Sequence, residues 1–298
     1  MKKSIFFSII IVVLFLAYSL LNAESDLKND DLSGKVKSMK KIVYKGDSKV
    51  IKYNPFLTSY DTEGRKIDGK EFNPAGKVIR HWQYEYDEKG NRSKLTLLDS
   101  NENIVVVMNY KYNSDNKMIE KINHYGSGAL KEKWVYKYTP DGRKIKAIRY
   151  DALASENFRF AYQYDDIGNP IEVKRIKPNG HLEKRTVYHY DNKSNLIKIE
   201  LFNAKGNITW KETFVYDNKG NKTEWIGFSK GVSPIWKYTY KYDEYKNVTE
   251  ENKFDYSNNK ETVYSYKYEY DDQDNWAKRT TYSGNQTKNV IIREISYY

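Results

Sequence analysis

The chain repeats itself in phase. A tyrosine recurs at Tyr60, Tyr86, Tyr112, Tyr138, Tyr164, Tyr190, Tyr216 and Tyr242, each 26 residues after the last. Tyr270 and Tyr298 follow at steps of 28. Equal steps sustained this long mean that one supersecondary unit is laid down again and again. Two residues before these tyrosines stand Tyr84, Tyr110, Tyr136, Tyr162, Tyr188, Phe214, Tyr240 and Tyr268. One residue after them comes Asp, Asn or Thr, and four after them come Gly64, Gly90, Gly142, Gly168 and Gly220. Asp opens a turn by accepting bonds from its own backbone, and Gly supplies the positive φ that closes it. D-x-x-G-N therefore reads as a hairpin turn. A second turn lies half a repeat on, at Gly76, Gly128, Gly180 and Gly206. Two turns per 26 residues leave two strands of roughly eight residues, one β-hairpin per repeat.

Side chains alternate along a strand, so the paired aromatics share one face. Counting from the repeat tyrosine, offsets 0, −2 and −4 form an aromatic stripe. If the turn takes four residues, offset +7 lies opposite −2, giving Tyr–Ile and Tyr–Thr pairs. Offsets −1, −3, +6 and +8 then make a wet face. The expected fold is all-β: tandem antiparallel hairpins in a long sheet of roughly eighteen strands, twisted, curled or spiralling with the stripe inward. Residues 58–298 form this repeat domain, and residues 24–57 a linker and degenerate capping hairpin.

The first 23 residues read as an export signal. Lys2 and Lys3 precede the uncharged run Ile5 to Leu21, and Ala23 suits a cleavage site, although an uncleaved anchor fits the same pattern. Expected locations are the periplasm, the cell surface or outside the cell. Losing residues 1–23 removes two of the 51 basic residues, leaving 49 against 40 acidic ones. Such a balance in an exported chain points to an anionic polysaccharide or a headgroup surface rather than nucleic acid. Cysteine is absent, which excludes disulfides and thiol chemistry.

Tandem Y-x-Y-D-x-x-G-[NR] resembles the YD repeat of Rhs-type and teneurin proteins over roughly residues 58–298. The resemblance implies a spiralling sheet of hairpins, surface or wall association, and carbohydrate binding by the repeats. The 26-residue period is longer than expected of that family. The chain is also too short for a large shell, and it ends on a strand without a self-cleaving junction or effector domain. The family's toxin role is therefore not expected here.

Chemistry-bearing patterns are absent from the sequence. The four histidines lack metal spacing, and each periodic Asp offers too few oxygens for calcium, which takes about six to eight. No nucleophile elbow or phosphate loop occurs. No enzyme activity, cofactor or metal is expected. The candidate ligand-binding residues are the less regular Trp210, Trp225, Trp236 and Trp276, with Phe228 and Tyr238, in the half where turn spacing loosens. These tryptophans are the ones expected to be exposed. The reading is an exported, non-catalytic scaffold that binds a glycan, an envelope component or a protein through its sheet surface. Two alternatives are an outer-membrane barrel, opposed by Arg80, Glu132 and Lys184 on the striped face, and a structural protein that pairs through a sheet edge.

Overall fold

Each D-x-x-G-N segment reverses the chain in the same way. At Asp87–Asn91 the Gly90 N–H donates to the Asp87 carbonyl at 2.9 Å, and the Asp87 N–H to the Asn91 carbonyl at 2.8 Å. Gly90 sits at φ +79°, the left-handed residue of a G1-type bulge. Repeats lacking glycine there place Asn116, Ser194, Lys246 and Asp274 in the left-handed region instead. The Asp87 carboxylate accepts from the N–H groups of Lys89 (3.0 Å) and Asn91 (2.8 Å). At the half-repeat turn, Asp99 is held below the usual carboxylate range by the N–H groups of Asn101 and Asn103. The periodic acids are turn formers whose lone pairs face their own backbone.

The computed structural model describes residues 26–298. The export signal expected at residues 1–23 lies outside the described residues. A single helical turn, α1 (Asp26–Asn29), precedes a continuous series of strands from β1 (Val36–Lys45) to β20 (Gln286–Tyr297). Every strand pairs antiparallel with its neighbours in sequence, and β1 also pairs with β20. The stretch read as a degenerate first hairpin does pair as one, β1 with β2 (Ile51–Tyr60), within the same sheet.

This corrects the expected open, spiralling sheet: the strands close into a 20-stranded β-barrel. Coiling brings the last strand back to the first, and closure satisfies both terminal strands. Ser38 and Ser296 bond across the seam at 2.7 Å. The seam carries its own apolar cluster of Leu32, Val36, Met39 and Tyr60, with Ile295 and Tyr297 against it. No free edge remains among the described strands, which speaks against partner recruitment through an unpaired edge.

The cross-strand register also differs from expectation. Offset −2 pairs with +9, not +7, as in Tyr84↔Leu95, Tyr162↔Val173, Tyr188↔Ile199 and Phe214↔Trp225. The cause is a register shift beside the turn in each of these hairpins, for example between Glu85 and Tyr86. The bulge brings offset +6 opposite the stripe tyrosine and moves the pairing beyond it two positions along, so +8 still faces outward and +9 inward. Offset +6, assigned to the wet face, therefore pairs with the stripe tyrosine: Tyr86↔Arg92, Tyr138↔Lys144, Tyr216↔Lys222.

Candidate functional site

The aromatic stripe lines the inside of the barrel. Equivalent positions on strands two apart are separated by about 9–10 Å in a flat sheet. Yet the Phe56 and Trp82 rings stand 5.2 Å apart, and the Trp134–Phe160 and Trp210–Trp236 pairs 6.4 Å apart. Side chains that converge more closely than their backbones lie on a concave face. Burial agrees: it pushes Tyr112, Tyr138 and Tyr188 up to about 12.

A ladder of tyrosines fixes this wall. The hydroxyls of Tyr86, Tyr112, Tyr138, Tyr164, Tyr190, Tyr216 and Tyr242 each donate to the carbonyl 20 residues earlier, at 2.6–2.9 Å. Where the period lengthens to 28, Tyr268 takes over the bond to Val248 at 3.1 Å. The acceptor belongs to the first strand residues after a turn, so each ring leans over the preceding hairpin. One phenol thus buries an aromatic face and satisfies a backbone group.

Cations sit on these rings. The Arg92 guanidinium lies 4.9 Å from the Tyr84 centroid, Lys144 Nζ 4.7 Å from Tyr136, and Lys222 Nζ 5.1 Å from both Phe214 and Trp225. Burial alone brings Lys144 down to about 8. Cation–π contacts of this kind gain about 0.5–2 kcal/mol as solvent is withdrawn. The opposite, outer wall is a lattice of ion pairs: Lys94–Glu85 at 2.9 Å, Lys133–Glu120 at 2.6 Å, Arg185–Glu172 at 3.0 Å and Lys278–Glu269 at 2.8 Å.

Four of the six candidate residues meet on the inner wall, on β14 (Ile208–Tyr216), β15 (Lys222–Ser229) and β16 (Ser233–Tyr242). Trp225 contacts Trp236 edge-on at 4.7 Å and stacks near Tyr238 at 5.7 Å. Trp210 faces Trp236 at 6.4 Å. The expected exposure of these tryptophans is not found: Trp236 is 9% exposed and the others are half-buried. Trp236 fills the space above Gly227, where a Cβ would lie 2.4 Å from its ring. Phe228 is on the outer wall, with Lys211 Nζ 4.0 Å above its ring. Trp276 is on the inner wall, but at the seam.

The centre of the tryptophan cluster is a residue that sequence reasoning missed. Glu212 is 1% exposed and accepts from Trp210 Nε1 at 2.8 Å and Trp225 Nε1 at 3.1 Å. Its signal was the one acid in the offset −4 column, where six of the nine residues from Phe56 to Tyr266 are aromatic and the others are Met108 and Thr186. Burial raises Glu212 above its ordinary value, opposed by the two indole donors and Lys222. The folded protein therefore keeps this proton to higher pH than the unfolded chain does. Stability from the group is full at low pH and is lost as pH rises through the folded value. Glu212→Gln removes that titration. Wild type should lose stability relative to the variant as pH rises above the ordinary glutamate range in denaturant melts. A stability gap independent of pH would refute the assignment.

The segment before β1 also lies against this wall, at the end where the D-x-x-G-N turns gather. Asp26 accepts from the Lys66 N–H at 2.8 Å and from Arg92 Nη2 at 3.2 Å. Asp30 accepts from the Tyr60 hydroxyl and from Lys66 Nζ at 3.0 Å. Asp31 accepts from Trp276 Nε1 at 2.7 Å. Nothing in the periodicity foretold this contact.

No family model matches the chain, and no curated protein matches it. Among solved structures, the TcdB2-TccC3 complex without its hypervariable C-terminal region aligns at 14% identity with a TM-score of 0.39. That alignment covers 82% of this chain and only 16% of the other. A porin-like protein from Bacteroides uniformis aligns at 11% identity and TM-score 0.38, over 88% of this chain and 96% of that one. Another, from Bacteroides vulgatus, aligns at 12% and 0.32, over 88% and 98%. None of these similarities is close enough to carry a function across.

Proposed function

We propose that the chain is an exported, non-catalytic barrel that binds an elongated acidic glycan along its inner wall. One observation carries this reading: aromatic rings and cations occupy the same concave surface. Lys144, Lys222 and Arg279 each lie over a ring of that wall. Sugar rings stack on aromatic faces, and their carboxylates pair with cations in reach.

A second reading, a barrel set in an outer membrane, is favoured by closure itself, since a bilayer tolerates no unpaired strand edge. Lipid would then meet the outer wall. That wall carries the ion-pair lattice described above, and a lysine or arginine at mid-bilayer costs about 2–4 kcal/mol. No helix among the described residues is long and apolar enough to cross a membrane. The charge of the outer wall favours the water-bathed barrel.

The test is a tryptophan-fluorescence titration of the exported protein with polygalacturonate and with a neutral glycan of similar length. A saturable shift with the acidic glycan that persists at moderate salt is expected. Loss of the whole shift with salt would reduce the interaction to generic attraction, and no shift would leave the wall without this ligand. Fractionation separates the second reading: extraction only by detergent would favour it.

A further inference from the structure

The seam breaks the repeat, and there three inner-wall cations crowd together, faced by Asp30 and Asp31 of the segment before β1. Lys41 on β1 stands directly across from Arg293 on β20, on the inner wall. Arg279 on β19 (Trp276–Ser283) pairs with Ile291, two residues from Arg293. Like charges placed opposite each other in a sheet are destabilising. Burial lowers Lys41, and Arg279 and Arg293 lower it further against the pull of Asp30.

The two arginines are bound more loosely than their burial would require. Arg293 is 3% exposed, and its Nε and Nη1 hold no hydrogen bond; nor does Nε of Arg279. Arg293 Nη2 donates to the Asp31 carbonyl at 2.9 Å. Its Nη1 stops 3.8 Å short of the Asp31 carboxylate. Buried guanidinium nitrogens without acceptors carry a desolvation cost that an added oxygen anion would relieve. Aromatic faces adjoin them: Trp276 lies 4.1 Å from the Arg293 guanidinium carbon, and Tyr266 5.4 Å from that of Arg279.

We propose that Lys41, Arg279 and Arg293, with Trp276, form a carboxylate-binding subsite for one acidic sugar unit of the ligand. Asp31 stands in for that carboxylate from within the chain. It already takes the Trp276 N–H, its side chain is 72% exposed, and it belongs to a short segment rather than to the barrel wall. An incoming acidic unit finds the cations assembled and displaces an exposed side chain. The subsite rests on the glycan reading above and locates one end of it.

The experiment compares the exported protein with Lys41→Met and, as a control on the same wall far from the seam, Lys144→Met. Each is titrated calorimetrically with trigalacturonate and with its neutral methyl ester, and each is melted without ligand. Lys41→Met should weaken trigalacturonate binding about tenfold or more, leave the ester unchanged, and raise the melting midpoint by about 1–3 °C through relief of repulsion. Lys144→Met should change affinity far less. Weaker binding together with higher stability is the signature, since a residue that only supports the fold would lower both. Equal weakening by the two variants would overturn the subsite while leaving the wall reading intact. No trigalacturonate binding by the wild-type protein, with polygalacturonate still binding, would also overturn the subsite alone. Failure of both acidic ligands would overturn the two together.

Discussion

Gly126→Ala should lower stability by about 2–3 kcal/mol, a fall of about 5–10 °C in the melting midpoint for a chain of this size. Composition gives no hint of this. The same place in the repeat, 14 residues after the stripe tyrosine, holds Ala152 and Ala204 elsewhere, and Pro74 and Pro178. The difference lies in a close approach. Gly126 follows β7 (Met118–Tyr125), and its N–H donates to the Val105 carbonyl on β6 (Ile104–Tyr112) at 2.9 Å. A Cβ there would lie 1.7 Å from the Ile104 carbonyl oxygen and 2.7 Å from its carbon. Backbone cannot rotate away as a side chain can, so the turn must lift off β6 and lose that bond. Gly76 is the contrast: no atom lies within 4 Å of its added Cβ, though its φ of +82° still suits glycine. Thermal melts of Gly126→Ala beside wild type decide it. A midpoint within about 1 °C of wild type would mean that the two turns separate freely.

What could be read from the sequence follows from how far each signal reaches along the chain. The turns were legible because Asp87, Gly90 and Asn91 satisfy one another within five residues. The aromatic stripe was legible because strand alternation is local. The bulge beside each turn was not, because nothing in D-x-x-G-N states how many residues oppose one another across it. That single slip hid the cations: Arg92, Lys144 and Lys222 were assigned to the wet face and stand over inner-wall rings. Ring closure depends on accumulated twist and on partners as distant as Ser38 and Ser296, 258 residues apart. No local pattern encodes such a pairing. For the candidate site, the reasoning found Trp210, Trp225, Trp236 and Tyr238 as neighbours. It missed Glu212, whose role depends on two indole N–H groups converging from adjacent strands. Phe228, at offset +12, shares the outward face of +8 in either register, and only its nearness along the chain had grouped it with the tryptophans.

Removing β20, so that the chain ends at Asn285, should convert a closed barrel with one sharp unfolding transition into a species that frays and associates further. In an open array of repeats, stability is a sum of units and nearest-neighbour interfaces, and the end units melt first. Closure abolishes the ends. Val36 and Tyr60, both fully buried, owe that burial to the seam cluster that Ile295 and Tyr297 complete. Re-exposing side chains of this kind costs about 1.5–3 kcal/mol each. The cut would also leave β1 and β19 with unpaired N–H and C=O rows, which template pairing with another chain. Closing so large a ring carries an entropic cost that grows only slowly with length, so the seam contacts readily exceed it. Sedimentation and a denaturant melt of the truncated protein test the claim. Concentration-dependent association and a broadened transition are expected. A truncated chain that sediments as the wild type does and melts at the wild-type midpoint would show that the seam adds nothing, and that an open sheet of hairpins is stable by itself.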